Sequence, residues 1–95
     1  MIMNNIDHFN MLTGAMGSIY EAKNHDYGNS FEKSCDEYGI TAALVRIEDK
    51  LNRLKSLRDK DPKVIDESIK DTLIDMANYC IMTRMWVDNK VLNKQ

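Results

Sequence analysis

Apolar residues recur at helical spacing along almost the whole chain. In the first segment Ile6, Phe9, Leu12, Met16 and Ile19 with Tyr20 stand three or four apart, and Asn4, Asn5 or Asp7 suits the amino-terminal cap. This predicts a helix over about residues 5–23. Asn24-His25-Asp26-Tyr27-Gly28-Asn29-Ser30 then gathers turn formers and predicts a loop, with Gly28 free to take a positive φ. A short helix is expected from Phe31 to Tyr38, capped by Ser30 and closed by Gly39. Thr41 is the expected cap of a third helix, whose stripe of Leu44, Ile47, Leu51, Leu54 and Leu57 runs to about Arg58. Asp61 followed by Pro62 pairs a cap with a residue preset for a first helical turn, so a last helix is predicted from there to about Asn89. The pattern leaves open a break near Asp66. Strand alternation, internal repeats and low-complexity tracts are missing from the pattern. The expected fold is therefore one all-α domain over residues 1–95, a small helical bundle of three long helices and one short.

The last helix carries two apolar sides. Ile69, Leu73, Met76, Cys80 and Val87 fall on one side, which is the expected core face. On the other, Glu67, Asp71 and Asp75 form a row at steps of four, continued by Asn78, with Ile74, Ile81, Met82 and Met85 beside it. Like charges at that spacing, roughly 6 Å apart, destabilise a helix by a few tenths of a kcal/mol, which calls for compensation by a cation or basic groups. A helix apolar on two sides is usually buried on two sides, by a second subunit or a ligand pocket.

Composition narrows the class. Ninety-five residues with 43% apolar and 29% charged positions make an ordinary globular domain. At this size the core is small, so completion by oligomerisation, most simply as a homo-oligomer, is expected. Thirteen basic against fifteen acidic residues give a net charge of -2, which argues against a duplex nucleic acid partner. Cys35 and Cys80 form no CxxC pair and neither His8 nor His25 has ligand spacing, so a disulfide framework or structural zinc finds no support. No basic start leads into an apolar run, and no stretch approaches about eighteen consecutive apolar residues, so no membrane partner is expected and the cytoplasm is the expected compartment.

The third helix adds basic side chains. Arg46, Lys50 and Arg53 form a row beside Asp49, which points away from the leucine stripe, and Glu48 lies at its margin. If the third and last helices pack antiparallel, Glu48, Asp49, Asp71 and Asp75 can converge, with the basic row near enough to receive phosphate oxygens. Hard oxygen ligands without a Cys/His cluster suit Mg²⁺, which takes one or two carboxylates plus substrate phosphates. The expected roles are Asp49, Asp71 and Asp75 on the metal, Arg46, Lys50 and Arg53 on phosphates, and Glu48 orienting a water. Tyr27, Tyr79 or Trp86 would stack on a base, and Asn24 or Asn78 would bond its edge.

Three blocks carry a family resemblance: Lys23-Asn24-His25-Asp26-Tyr27-Gly28-Asn29-Ser30-Phe31, Arg46-Ile47-Glu48-Asp49-Lys50-Leu51-Asn52-Arg53-Leu54, and Glu67 through Tyr79. Over about residues 20–82 the chain resembles the small nucleotide-modification-associated family found in phages and bacteria. That resemblance implies nucleotide metabolism without a reaction, and Asp26, Tyr27, Asn78 and Tyr79, which lie within its blocks, are expected ligand contacts. More distantly the chain is similar to MazG-type all-α NTP pyrophosphatases, whose EExxE and ExxD motifs hold Mg²⁺ over a triphosphate. Glu48 and Asp49 match the opening pair, Asn52 stands where the third acid belongs, and Ser68 or Thr72 stands where the Glu of ExxD would precede Asp71 or Asp75.

Two functions follow as expectations. One is a nucleotide-binding enzyme, a Mg²⁺-dependent NTP pyrophosphohydrolase or a partner in nucleotide modification. The other is a non-catalytic phage sponge that sequesters a cyclic nucleotide of host immune signalling, which the depleted acidic motif favours. A structural helical module that meets only another protein is a third, duller possibility.

Overall fold

The computed structural model describes the backbone of residues 3–27, 29–60 and 62–93, and the side chains of 3–25, 29–60 and 67–90. Four helices follow in order, α1 (Asn5–Tyr27), α2 (Ser30–Tyr38), α3 (Ile40–Arg58) and α4 (Pro62–Asn93), and no strand occurs among the described residues. The all-α expectation is met.

Local chemistry sets the boundaries. The Asn4 Oδ1 accepts the Asp7 backbone N–H at 2.8 Å, which satisfies one of the donors a helix start leaves free. α1 does not stop at Lys23 as its composition predicts; it runs on through Asn24, His25 and Asp26 to Tyr27. Each of those residues disfavours a helix by only a few tenths of a kcal/mol, and extending an existing helix adds a hydrogen bond per residue, so propagation wins. The expected conformation of Gly28 and the Asp61 cap lie outside the described residues.

One residue governs the α2–α3 junction. Gly39 sits at φ 73 and ψ -164, its N–H bonds to the Cys35 carbonyl at 2.8 Å, and its own carbonyl accepts from Ala42 at 3.1 Å. It closes one helix and opens the next. Ser30 and Thr41 are therefore helical residues instead of the caps the sequence suggests, and no side-chain cap bond is made at either start. α4 is continuous through Asp66 and ends at Asn93, beyond the expected Asn89.

α3 and α4 form an antiparallel hairpin, with Lys50 reaching Asp75 and Ala43 packing against Trp86. α2 lies over the open end of that hairpin, where Cys35, Ala43 and Trp86 are buried together with Phe31 and Ala42 against them. The Trp86 Nε1–H donates to Asp36 Oδ1 at 2.9 Å, tying α2 to α4, and Lys90 Nζ, one turn on along α4, lies 4.6 Å from the centre of the same ring.

The line of α4 that faces inward is Thr72, Tyr79 and Trp86, seven apart, with Thr72 and Trp86 buried. This corrects the expected core face, because Leu73 is 50% exposed, Val87 is 37% exposed and Cys80 is exposed, while Ile69 and Met76 are half-buried. The indole sets the rotation: it covers the largest area and has a hydrogen-bond partner on α2, so its side of the helix turns in. Thr72 is tolerated there because its hydroxyl donates to the Ser68 carbonyl at 2.6 Å. On α3, likewise, Ala43 is buried while Leu44 and Leu51 of the expected stripe are exposed.

Candidate functional site

On the side of the hairpin that carries α1 and α2 lies a cavity of about 420 Å³. Its walls come from the carboxy-terminal half of α1, the start of α2, one turn of α3 and the inward side of α4. Extension of α1 past residue 23 matters here, because it places Asn24 on the same helix as Lys23 at the cavity wall.

Asp75 is the charged centre. Its Oδ1 pairs with Lys23 Nζ at 3.1 Å and its Oδ2 with Lys50 Nζ at 3.5 Å, so each carboxylate oxygen has its own ammonium group. For Asp75 the compensation that the acidic row requires is thus supplied by lysines from two other helices, while Glu67 pairs with Lys70 of its own helix at 3.9 Å. Arg46 lines the same cavity from α3, and Glu32 adds a second acid from α2. Asn78 donates its side-chain N–H to the Met16 carbonyl at 3.3 Å, which fastens α1 across α4.

Aromatic rings form the other wall. Tyr79 and Phe31 have ring centres 5.5 Å apart at 43°, and both line the cavity with Tyr20 and Trp86. A smaller space of about 150 Å³ continues along the α1–α4 seam between Met16, Ile81 and Met85.

The expected site residues divide. Arg46, Asp75, Asn78 and Tyr79 come together at the cavity, and Lys50 reaches it through Asp75. Glu48, Asp49, Arg53 and Asp71 are exposed and do not line it. Glu48 stands two residues from Arg46, about 160° around the helix, so it projects from the opposite side of α3. Among the described residues no three His, Cys, Asp or Glu side chains gather where they could hold a metal ion, so Asp49, Asp71 and Asp75 are not assembled into one cluster within a chain. The side chains of Asp26 and Tyr27 lie outside the described residues.

Lys23, Tyr20 and Phe31 line the cavity although sequence reasoning assigned them no role. Part of their signal was present: Met16, Tyr20 and Lys23 continue a single stripe within the predicted first helix, but nothing local says what that stripe faces.

Among the titratable groups, Cys35 is shifted. Burial pushes its thiol above the ordinary range, and the nearby Asp36 and Glu32 carboxylates add to that, against a backbone hydrogen bond with Ala43 that lowers it. This marks Cys35 as an unreactive core thiol instead of a nucleophile.

Residues 23–86 match the family described as nucleotide modification associated domain 1. No curated protein and no solved structure matches the chain. The matched segment includes Lys23, Arg46, Asp75 and Tyr79, the cavity's main charged and aromatic groups.

Proposed function

This chain belongs to the nucleotide modification associated domain 1 family, and from that premise we propose that it binds a nucleotide in the α1–α2–α4 cavity without hydrolysing it. The supporting observation is the pairing, in one concave space inside the family-matched segment, of basic side chains with an aromatic wall. Lys23 and Arg46 would take phosphate oxygens, Arg46 as a planar fork and Lys23 as a point charge. Tyr79, already tilted against Phe31, would offer its free face to the base, and Asn24 a bond to the base edge. A cavity of about 420 Å³ falls in the size range of small-molecule sites and suits a mononucleotide or a cyclic nucleotide.

Binding is favoured over catalysis by the state of Asp75. The enzymatic alternative, a Mg²⁺-dependent pyrophosphohydrolase of the MazG-like kind, requires carboxylates free to hold a metal. Asp75 is engaged by two ammonium groups instead, and the remaining acids of the expected set are spread over the surface. In the binding reading, the protein removes a nucleotide from a pool, as a sponge for a signalling nucleotide would.

Native mass spectrometry of protein taken directly from cells, followed by a melting panel of mononucleotides, dNTPs and cyclic nucleotides with and without Mg²⁺, tests this. A saturating ligand at about 100 times its Kd should raise stability by about 2.7 kcal/mol and be recovered chemically unchanged. Pyrophosphate release in the presence of Mg²⁺ would replace the binding reading with the enzymatic one. A panel that moves the melting temperature nowhere would remove both.

A further inference from the structure

The cavity occupies one side of the α3–α4 hairpin; among the described residues the other side is uncovered and largely apolar, with Arg58 at its end. Ile40, Leu44 and Leu51 lie at one edge of α3, turned roughly 60–100° from buried Ala43 at 100° per residue. Leu73, Cys80 and Val87 are turned from buried Thr72 by a similar angle in the same sense. Because the two helices are antiparallel and face each other, equal rotations of the same sense bring both rows to one side of the hairpin. The Lys50–Asp75 and Ala43–Trp86 pairings fix the register, so the rows alternate along a single face. Its leucines are well exposed, Leu44 at 55% and Leu73 at 50%.

The whole molecule has surface to spare. Its accessible area is 7611 Å², against about 5,600 Å² expected for a folded monomer of 11.0 kDa. The excess of roughly 2,000 Å² exceeds the about 800 Å² that each partner loses in a standard interface.

The geometry points to a second copy of this chain as the occupant: two hairpins pack face to face about a twofold axis into a four-helix bundle, leaving one nucleotide cavity on each outer side. A twofold pairing buries the same patch on both chains, and the face's own row of leucines is complementary to itself. This assignment rests on the helix rotations and the surface excess, and stands whether or not the cavity takes a nucleotide.

Sedimentation or light scattering of the full chain at about 10 µM, combined with thiol titration, tests it. The wild-type protein should have about twice the monomer mass of 11.0 kDa. Cys80 should react at least tenfold more slowly with an aromatic disulfide than it does after unfolding. Leu44→Glu with Leu73→Glu should yield a monomer of unchanged helical circular dichroism, since both side chains are exposed in the single chain, and should free Cys80. A monomeric wild-type protein with fast Cys80 overturns the proposal, as does an oligomer that the double substitution leaves intact.

Discussion

At the scale of single residues, Asp75 separates the binding reading from a metal-centred one. Asp75→Asn releases Lys23 and Lys50, so the cavity becomes more cationic and its affinity for a nucleotide anion should rise. Lys23→Ala should lower it several-fold. Both changes should alter stability by less than about 1 kcal/mol, because these are partly exposed pairs. Titration calorimetry with a ligand found by the panel checks the two directions; equal loss in both variants would mean that Asp75 itself holds the ligand or a metal. Cys35 makes a prediction about pH. Its thiol is held above the ordinary range by burial and adjacent carboxylates, so its contribution to stability is fully present below the ordinary thiol range. That contribution is lost as pH climbs through the higher folded-state value. Urea unfolding at increasing pH should show the wild type weakening relative to Cys35→Ala on the alkaline side, and parallel profiles would contradict this.

At the scale of elements, two glycines should respond oppositely to alanine. Gly39 turns α2 into α3 at φ 73 and ψ -164, a conformation almost confined to glycine, and nothing lies within 4 Å of an added Cβ. Gly39→Ala should therefore cost about 1–3 kcal/mol from backbone strain alone. Gly14 lies inside α1 with ordinary helical backbone and equally open space, so Gly14→Ala should stabilise by about 0.5–1 kcal/mol. Chemical denaturation of the two variants checks the sign of each. The inward line of α4 was less legible than these turns. Hydropathy favours Leu73, Cys80 and Val87 over Thr72 and Tyr79, yet the threonine is inside because its hydroxyl bonds its own helix. A helix with two apolar sides shows that both are wanted somewhere; it does not say which one meets its own chain.

At the scale of the whole molecule, the shape is open. The radius of gyration is 15.5 Å, where a compact chain of this length has about 12 Å. The first half of α1 contributes, with Ile6 and Phe9 exposed beyond the crossing that Met16 and Asn78 make with α4. Among the described residues the buried cluster is three residues with half-buried neighbours, a small core for the folded single chain, to which association adds. Association should therefore raise the stability of the folded chain, and the melting temperature should rise as protein concentration is raised from about 1 to 100 µM. A melting temperature that stays constant over that range would show that the single chain suffices.

The four helices, the ends of α2 and α3 and the start of α4 at Pro62 were written in local pattern, because helix formation depends on spacing, propensity and backbone conformation within a few residues. The family match likewise depends on residue order alone. Which face of each helix turned inward, that Lys23 would meet Asp75 across 52 positions, and that Glu48 and Asp49 would stay outside the cavity emerged only on packing. Those outcomes depend on one bulky indole finding Asp36 on another helix, and on helix rotations of less than a quarter turn, to which hydrophobic periodicity is nearly blind.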